Sequence, residues 1–290
     1  MSKRPRASGA GLFHHIYNRG NNRHQIFMSD GDYRHYLSYL EKYAKQYSVE
    51  VIAYALMPNH IHLFINDRIG NISIFMNVLH GRYVNYFNWA NGRCGHGFGG
   101  RFRNKIIDVN NYGLWLTKYI HLQAVKANIV MMPSEYRWTS YLSYIGCVPY
   151  GFLKTEIIMD QFGKDIKEKQ NQYRAFIENT DNGPIDWDSL ESKPGMIVGD
   201  EDFIDKISKK LNLNYAVNPI KNGINPIEIV CAKLKLSMSD MINPEGRKAR
   251  RLRHKAFQIL RDEYKLSISR IAHAFKVSSA AVSKSTISKS

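Results

Sequence analysis

Along residues 12–127 the spacing of apolar side chains changes repeatedly, and each change marks an element. "LFHHIYN" (12–18) reads as a strand and stops at the turn signal "NRGNN". From there Asp30 or Asp32 can cap a helix reaching to about Tyr47, with Tyr33, Tyr36, Leu37, Leu40, Tyr43 and Ala44 at helical spacing. "VEVIAYALM" (49–57) is a second strand, and Pro58-Asn59 breaks it from a third, "HIHLFIN" (60–66). Ile72, Phe75, Met76, Leu79, Tyr83, Tyr86 and Phe87 outline a helix over 71–90. A glycine-rich loop (91–104) leads to a fourth strand at "KIIDV", then a helix from about Asn110 to Ala127. The order β-α-β-β-α-β-α is that of an α+β, ferredoxin-like split β-α-β domain with an antiparallel sheet.

"PSEYRWTSYLSYIG" (133–146) closes this unit, which gives a first domain over 1–148. Residues 149–224 hold helical pieces such as "DEDFIDKISKKL", broken at "NTDNGPIDW" and "NPIKNGINP", and read as a connector. From 225 to 290 the chain is helical and basic, an expected all-α domain.

Charge narrows the class of partner. Lys and Arg number 41 against 25 Asp and Glu, a net charge of +16, which suggests a polyanion such as nucleic acid. Cys94, Cys147 and Cys231 are scattered and odd in number, which points to a reducing compartment. No signal-peptide pattern is visible, and the longest apolar run, Val51 to Met57, is far shorter than the roughly 20 residues of a membrane span. A cytoplasmic protein with no membrane partner is expected.

The chemistry gathers at His60 and His62. Alternate residues of a strand share a face, so the two imidazoles point the same way and can supply two ligands to one divalent metal. Two histidines satisfied by hydrogen bonds would look the same. On the helix at 110–127, Tyr119, Gln123 and Lys126 stand at i, i+4 and i+7, one face that would approach the imidazoles. Tyr119 also reads as a packing aromatic, and Gln123 as a solvated position.

Five blocks decide between these readings. "HHIYNRGNNR", "YALMPNHIHLFI", "GRFRNKIIDV", "TKYIHLQAVKANIV" and "PSEYRWTSY" together resemble the REP-associated tyrosine transposases, a branch of the single-tyrosine HUH transposases, over about residues 12–145. The U of HUH is a large apolar residue, matched by Ile61. The resemblance implies an enzyme that cleaves and rejoins single-stranded DNA, with His60, His62 and Gln123 as metal ligands and Tyr119 as nucleophile. The implied product is a 5′-phosphotyrosine beside a free 3′-hydroxyl, and the implied substrate is a repeated, hairpin-forming DNA element. The family often has Asn-Pro where this chain has Gln123-Ala124; glutamine keeps the carbonyl oxygen one methylene further out. Mg²⁺ or Mn²⁺ suits two imidazoles and an amide with open water positions.

Around this centre Arg19, Arg23, Arg101, Phe102, Arg103, Lys105 and Lys126 are the expected DNA contacts, arginines for phosphates and aromatic faces for unpaired bases. In the last domain Ile271, Ala272, Phe275, Val277 and Val282 fit the apolar skeleton of a helix-turn-helix, although Lys276 stands where the turn usually holds glycine. This region is similar in pattern to the DNA-binding domain of the replication initiator DnaA. Ser278, Ser279, Ser283 and Lys284 then fall on or near the recognition helix, facing duplex or hairpin DNA. Two other readings stand: a catalytically inactive DNA-binding regulator derived from a transposase, and a phosphoesterase that uses activated water. The state of assembly is left open between a monomer and a homodimer.

Overall fold

The computed structural model describes residues 7–149, 151–179, 186–191, 197–212, 226–237, 241–262, 268, 271–272 and 275–286. Four strands, β1 (Leu12–Arg19), β2 (Val49–Met57), β3 (His60–Asp67) and β4 (Arg103–Ile107), form an antiparallel sheet in the order β2-β3-β1-β4. That is the split β-α-β arrangement expected from the element order. Helices α1 (Asp30–Gln46), α2 (Ile72–Ala90) and α3 (Val109–His121) follow in their expected places, and α4 (Gln123–Lys126) continues α3 after a break at Leu122. The expected single helix is therefore two pieces, even though Ala124 stands where proline is common.

Local chemistry explains the boundaries. Helix α1 is capped by Ser29 rather than by Asp30 or Asp32. The Ser29 hydroxyl accepts from Asp32 N (3.3 Å), while the Asp32 carboxylate accepts from Met28 N and Ser29 N (2.8 and 2.9 Å). Asp67, fully buried at the end of β3, accepts from the backbone N–H groups of Gly70, Asn71 and Ile72 (2.9, 3.0 and 2.8 Å) and so satisfies the start of α2. In the turn after β1, a Cβ on Gly20 would lie 2.1 Å from the His24 carbonyl oxygen, so only glycine allows that close approach.

Period-2 alternation separates the two faces of the sheet. Ile16, Ile61, Leu63 and Ile65 are buried in one cluster with Tyr36, Leu37 and Leu40 of α1 and Phe75, Met76 and Leu79 of α2. The opposite face presents His15, Tyr17 and Arg19 of β1 beside His60, His62 and Phe64 of β3, paired in register Tyr17 with His62 and Arg19 with His60. Helix α3 covers this second face.

The expected connector does more than connect. Compactness divides the chain into one unit of residues 1–180 and 187–219 and another of 181–186 and 220–290, so the expected break at 148/149 is not a break in packing. Helices α5 (Tyr141–Tyr144), α6 (Glu156–Met159), α7 (Ile166–Glu178), α8 (Trp187–Glu191) and α9 (Glu201–Lys210) all belong to the first unit. Buried Lys118 of α3 donates to the carbonyls of Phe176 and Asn179 at the end of α7 (2.8 and 2.7 Å). Buried His121 lies within hydrogen-bond distance of Ser140 Oγ and Tyr173 Oη (2.7 and 2.8 Å). A fifth strand, β5 (Ile197–Val198), joins β4 in parallel. At the other edge Leu56 N donates to Trp138 O (2.9 Å), Ser140 N to Tyr54 O (3.0 Å), Lys154 N to Val51 O (2.8 Å), and the Tyr144 hydroxyl to Ile52 O (2.9 Å). The expected breaks "NTDNGPIDW" and "NPIKNGINP" lie largely outside the described residues.

The second unit has its own core. Helices α10 (Pro226–Lys233), α11 (Gly246–Asp262) and α12 (Ser279–Thr286) enclose Val230, Met241, Phe257, Leu260, Ile271, Phe275 and Val282. All the expected skeleton residues pack here, Val277 at its margin. Lys276 adopts φ of 50°, so the turn takes the left-handed conformation without glycine. The Ser278 hydroxyl accepts from Ala281 N (3.2 Å) at the start of α12. Among the described residues, no helix is long and apolar enough to cross a membrane.

Candidate active site

Strands β1 and β3 and helices α3, α4 and α8 build one cavity of about 250 Å³, lined by Arg19, His60, His62, Tyr119, Gln123, Lys126, Ala127 and Asp188. The three helical residues picked out by spacing meet the histidine pair despite the break at Leu122, which shifts the chain without turning Gln123 and Lys126 off this face.

The imidazoles are held from behind. Their ring centroids are 5.2 Å apart at 83°. His62 Nδ1 lies 3.1 Å from Nε2 of buried His15, and His60 Nδ1 lies 2.7 Å from Asn59 Oδ1. Contacts at Nδ1 on both rings are the pattern of histidines that ligate through Nε2, with the second contact fixing ring orientation. Burial, reinforced by Arg19 and Lys126, lowers the His62 pKa to about 3, so the ring is neutral, as a metal ligand must be. Burial, then His62 and Lys105, also hold His15 well below the usual range. Among the described residues no group of three or more His, Cys, Asp or Glu converges as a metal site. A third protein donor would have to be of another kind, and the Gln123 amide fits: its nitrogen donates to Tyr119 O (3.1 Å), which fixes the side chain in the cavity wall. Two imidazole nitrogens and one amide oxygen could hold a divalent cation with water in the remaining positions.

Tyr119 packs edge-on against His62 and His15, with ring centroids 5.5 and 5.9 Å away. Its hydroxyl donates to Asp188 Oδ1 (3.0 Å). Lys126 Nζ stands 4.6 Å from the centre of the Tyr119 ring and 3.5 Å from Asp188 Oδ2. A phenol, an ammonium and a carboxylate are thus in mutual contact at the mouth of the imidazole site.

The other expected DNA contacts separate into two sets. Arg19, Arg23, Arg101 and Arg103 are exposed, and the glycine loop lies along the end of β1, with Gly99 N donating to Arg19 O (2.9 Å). Phe102 and Lys105 are buried, and this corrects their reading as DNA contacts. Phe102 belongs to the apolar core, and Lys105 sits in β4 opposite His15, its ammonium 5.9 Å from the Tyr17 ring. In the second unit Ser278, Ser279 and Lys284 are exposed and Ser283 is half-buried.

Sequence reasoning missed His15 and Asp188. For His15 the only signal is the doublet His14-His15: strand alternation sends one ring to each face, and pairing to β3 sets which one meets His62. Asp188 is 69 positions from Tyr119 in the chain, and no spacing pattern connects them.

A family model described as "Transposase IS200 like" matches residues 10–123. No curated protein matches the chain. Among solved structures, a REP-associated tyrosine transposase bound to a REP hairpin aligns at 16% identity, covering 53% of this chain and 96% of its own, with a TM-score of 0.41. A Deinococcus radiodurans protein described as a transposase aligns at 20% identity, covering 42% and 98%, with a TM-score of 0.30.

Proposed function

We propose, from the match of residues 10–123 to a family model of IS200-like transposases, that this chain cuts and rejoins single-stranded DNA through Tyr119. The observation that carries this reading is the shared cavity, in which the Tyr119 phenol stands beside His60, His62 and Gln123. In this scheme the phenol oxygen attacks a backbone phosphorus, the bond to the 3′ oxygen breaks, and the strand is held as a 5′-phosphotyrosine. The covalent link conserves the phosphodiester energy, so joining to another 3′-hydroxyl needs no nucleotide cofactor.

The chain's own groups account for most of what the reaction requires. A phenol titrates near pH 10, so only about one in a thousand is ionised at neutrality, and the site must assist loss of its proton. Tyr119 is oriented by His62 and His15 on one side and by Asp188 on the other, which limits the entropy lost in reaching the attack geometry. Arg19 and Lys126 line the cavity as cations for a phosphate. Arg23, Arg101 and Arg103 extend that charge to flanking nucleotides. His60, His62 and Gln123 would hold Mg²⁺ or Mn²⁺, which when bound supplies Lewis-acid neutralisation of the scissile phosphate. The C-terminal unit adds affinity for folded or duplex DNA through α12, with Ser278, Ser279, Ser283 and Lys284 beside the basic helix α11.

The test is incubation of the full chain with end-labelled hairpin-bearing single-stranded DNA and Mg²⁺ or Mn²⁺, read on a denaturing gel. A retarded, protease-sensitive band is expected, and Tyr119→Phe should abolish both band and cleavage while hairpin affinity changes less than a few-fold. Cleavage by the Phe variant would favour an activated-water phosphoesterase, and no cleavage by the unaltered chain would favour a DNA-binding regulator.

A further inference from the structure

The contact made by α8 enters the proposed chemistry only as one that orients Tyr119. Trp187 and Leu190 are buried, and the Trp187 ring lies 5.9 Å from that of Tyr119 and 6.1 Å from that of His15. These two anchors fix the short helix on the site. Between them Asp188 has a largely exposed carboxylate, with Oδ1 3.0 Å from the Tyr119 hydroxyl and Oδ2 3.5 Å from Lys126 Nζ.

We propose that Asp188 is a catalytic residue, the acceptor of the Tyr119 proton; this rests on the reading of Tyr119 as nucleophile. As the bond from Tyr119 Oη to phosphorus forms, the proton on Oη passes along the existing hydrogen bond to Asp188 Oδ1. The bond from phosphorus to the 3′ oxygen breaks, and that oxygen leaves as a hydroxyl after taking a proton from water. On rejoining the sequence reverses: an incoming 3′-hydroxyl gives its proton to water as its oxygen attacks the phosphotyrosine, and the carboxylic acid of Asp188 returns its proton to the departing phenol oxygen. Among the described residues, Tyr119 and Lys126 face the carboxylate. The ammonium holds the second carboxylate oxygen and so aims the first at the phenol.

Asp188 acts on a reacting atom from outside the segment that matches the transposase family, which ends at residue 123. The later part of the first unit therefore completes the site chemically as well as packing against it. A carboxylate held by a phenol and an ammonium also resembles a bound phosphate in its partners, so a competing account makes α8 a plug that occupies the substrate's place. The two accounts predict opposite signs.

Single-turnover cleavage of a labelled hairpin oligonucleotide by the full-length protein at neutral pH separates them. Asp188→Ala and Asp188→Asn should each slow cleavage by about 100-fold, the scale of a lost general base. Added formate or acetate should restore at least tenfold of the rate to Asp188→Ala, whose truncated side chain leaves room for a small carboxylate, but not to Asp188→Asn. Asp188→Glu should keep most of the activity. An Asp188→Ala rate equal to or above that of the unaltered chain would overturn the proposal in favour of a plug. A loss that neither formate nor acetate repairs would overturn it in favour of a packing role. Tyr119→Phe run in parallel keeps the premise separate: if that variant cleaves, the nucleophile assignment has failed, whatever Asp188 does.

Discussion

Strands β1 and β3 present two unlike faces from one backbone. Toward α1 and α2 they bury Ile16, Ile61, Leu63 and Ile65. Toward α3 they bury His15, Tyr17 and His62, with His60 and Arg19 at the margin. On the first face each aliphatic side chain removed from water contributes about 1.5–3 kcal/mol. On the second, charging His62 would cost on the order of 5 kcal/mol, as its fall from 6.5 to about 3 implies, so the imidazole is kept neutral and satisfied by His15. One face supplies stability, and the other spends some of it on placing nitrogen atoms.

That contrast can be tested from both sides. On the polar face, His60→Ala removes a proposed ligand at a half-exposed position and should lower cleavage by about 10³-fold or more, the several kcal/mol that metal neutralisation supplies. Its urea midpoint should stay close to that of the unaltered chain; a normal cleavage rate would refute the ligand assignment. On the apolar face, Leu63→Ala should destabilise the fold by about 3 kcal/mol, measured by urea denaturation, while the rate per folded molecule is unchanged. A specific loss of activity there would mean the two faces are not independent.

A third expectation concerns pH. His14 and His121 are fully buried, and burial lowers their pKa values to about 4 and about 3. Both lie below 6.5, so under acid conditions the unfolded chain binds protons that the folded chain refuses. The stability they contribute is complete above pH 6.5 and declines as pH falls toward 4, by up to about 1.4 kcal/mol per pH unit for each group. Urea titrations between pH 7 and 5 should show this slope, and His121→Gln should reduce it, with His14, His15 and His62 supplying the rest. A slope unchanged in that variant would exclude His121 as a contributor.

The same contrast explains what the sequence makes legible. Period 2 in β3 and period 3.6 in α3 are local, so His60, His62, Tyr119 and Gln123 can be placed on faces before any coordinates exist. Phe102 and Lys105 were misplaced because a basic, aromatic loop reads as a solvated surface, whereas β4 carries Lys105 inward opposite His15. The cap of α1 falls at Ser29 because its hydroxyl and the Asp32 carboxylate satisfy each other's backbone donors, a reciprocity that counting carboxylates does not reveal. Asp188 was invisible for a different reason: it reaches Tyr119 only through the docking of Trp187 and Leu190, contacts between distant segments with no repeat to announce them.

The covering of the β2 edge by Trp138, Ser140, Tyr144 and Lys154 constrains how copies of this chain could associate. An exposed outer strand offers unpaired amides and carbonyls to any extended peptide, which is how sheets merge across a two-fold axis. Here the outward groups of Val51, Ile52, Tyr54 and Leu56 are already engaged by the chain's own later segment. A second molecule seeking to lengthen the sheet there would first have to peel that segment away, so association by strand addition at this edge is disfavoured from within.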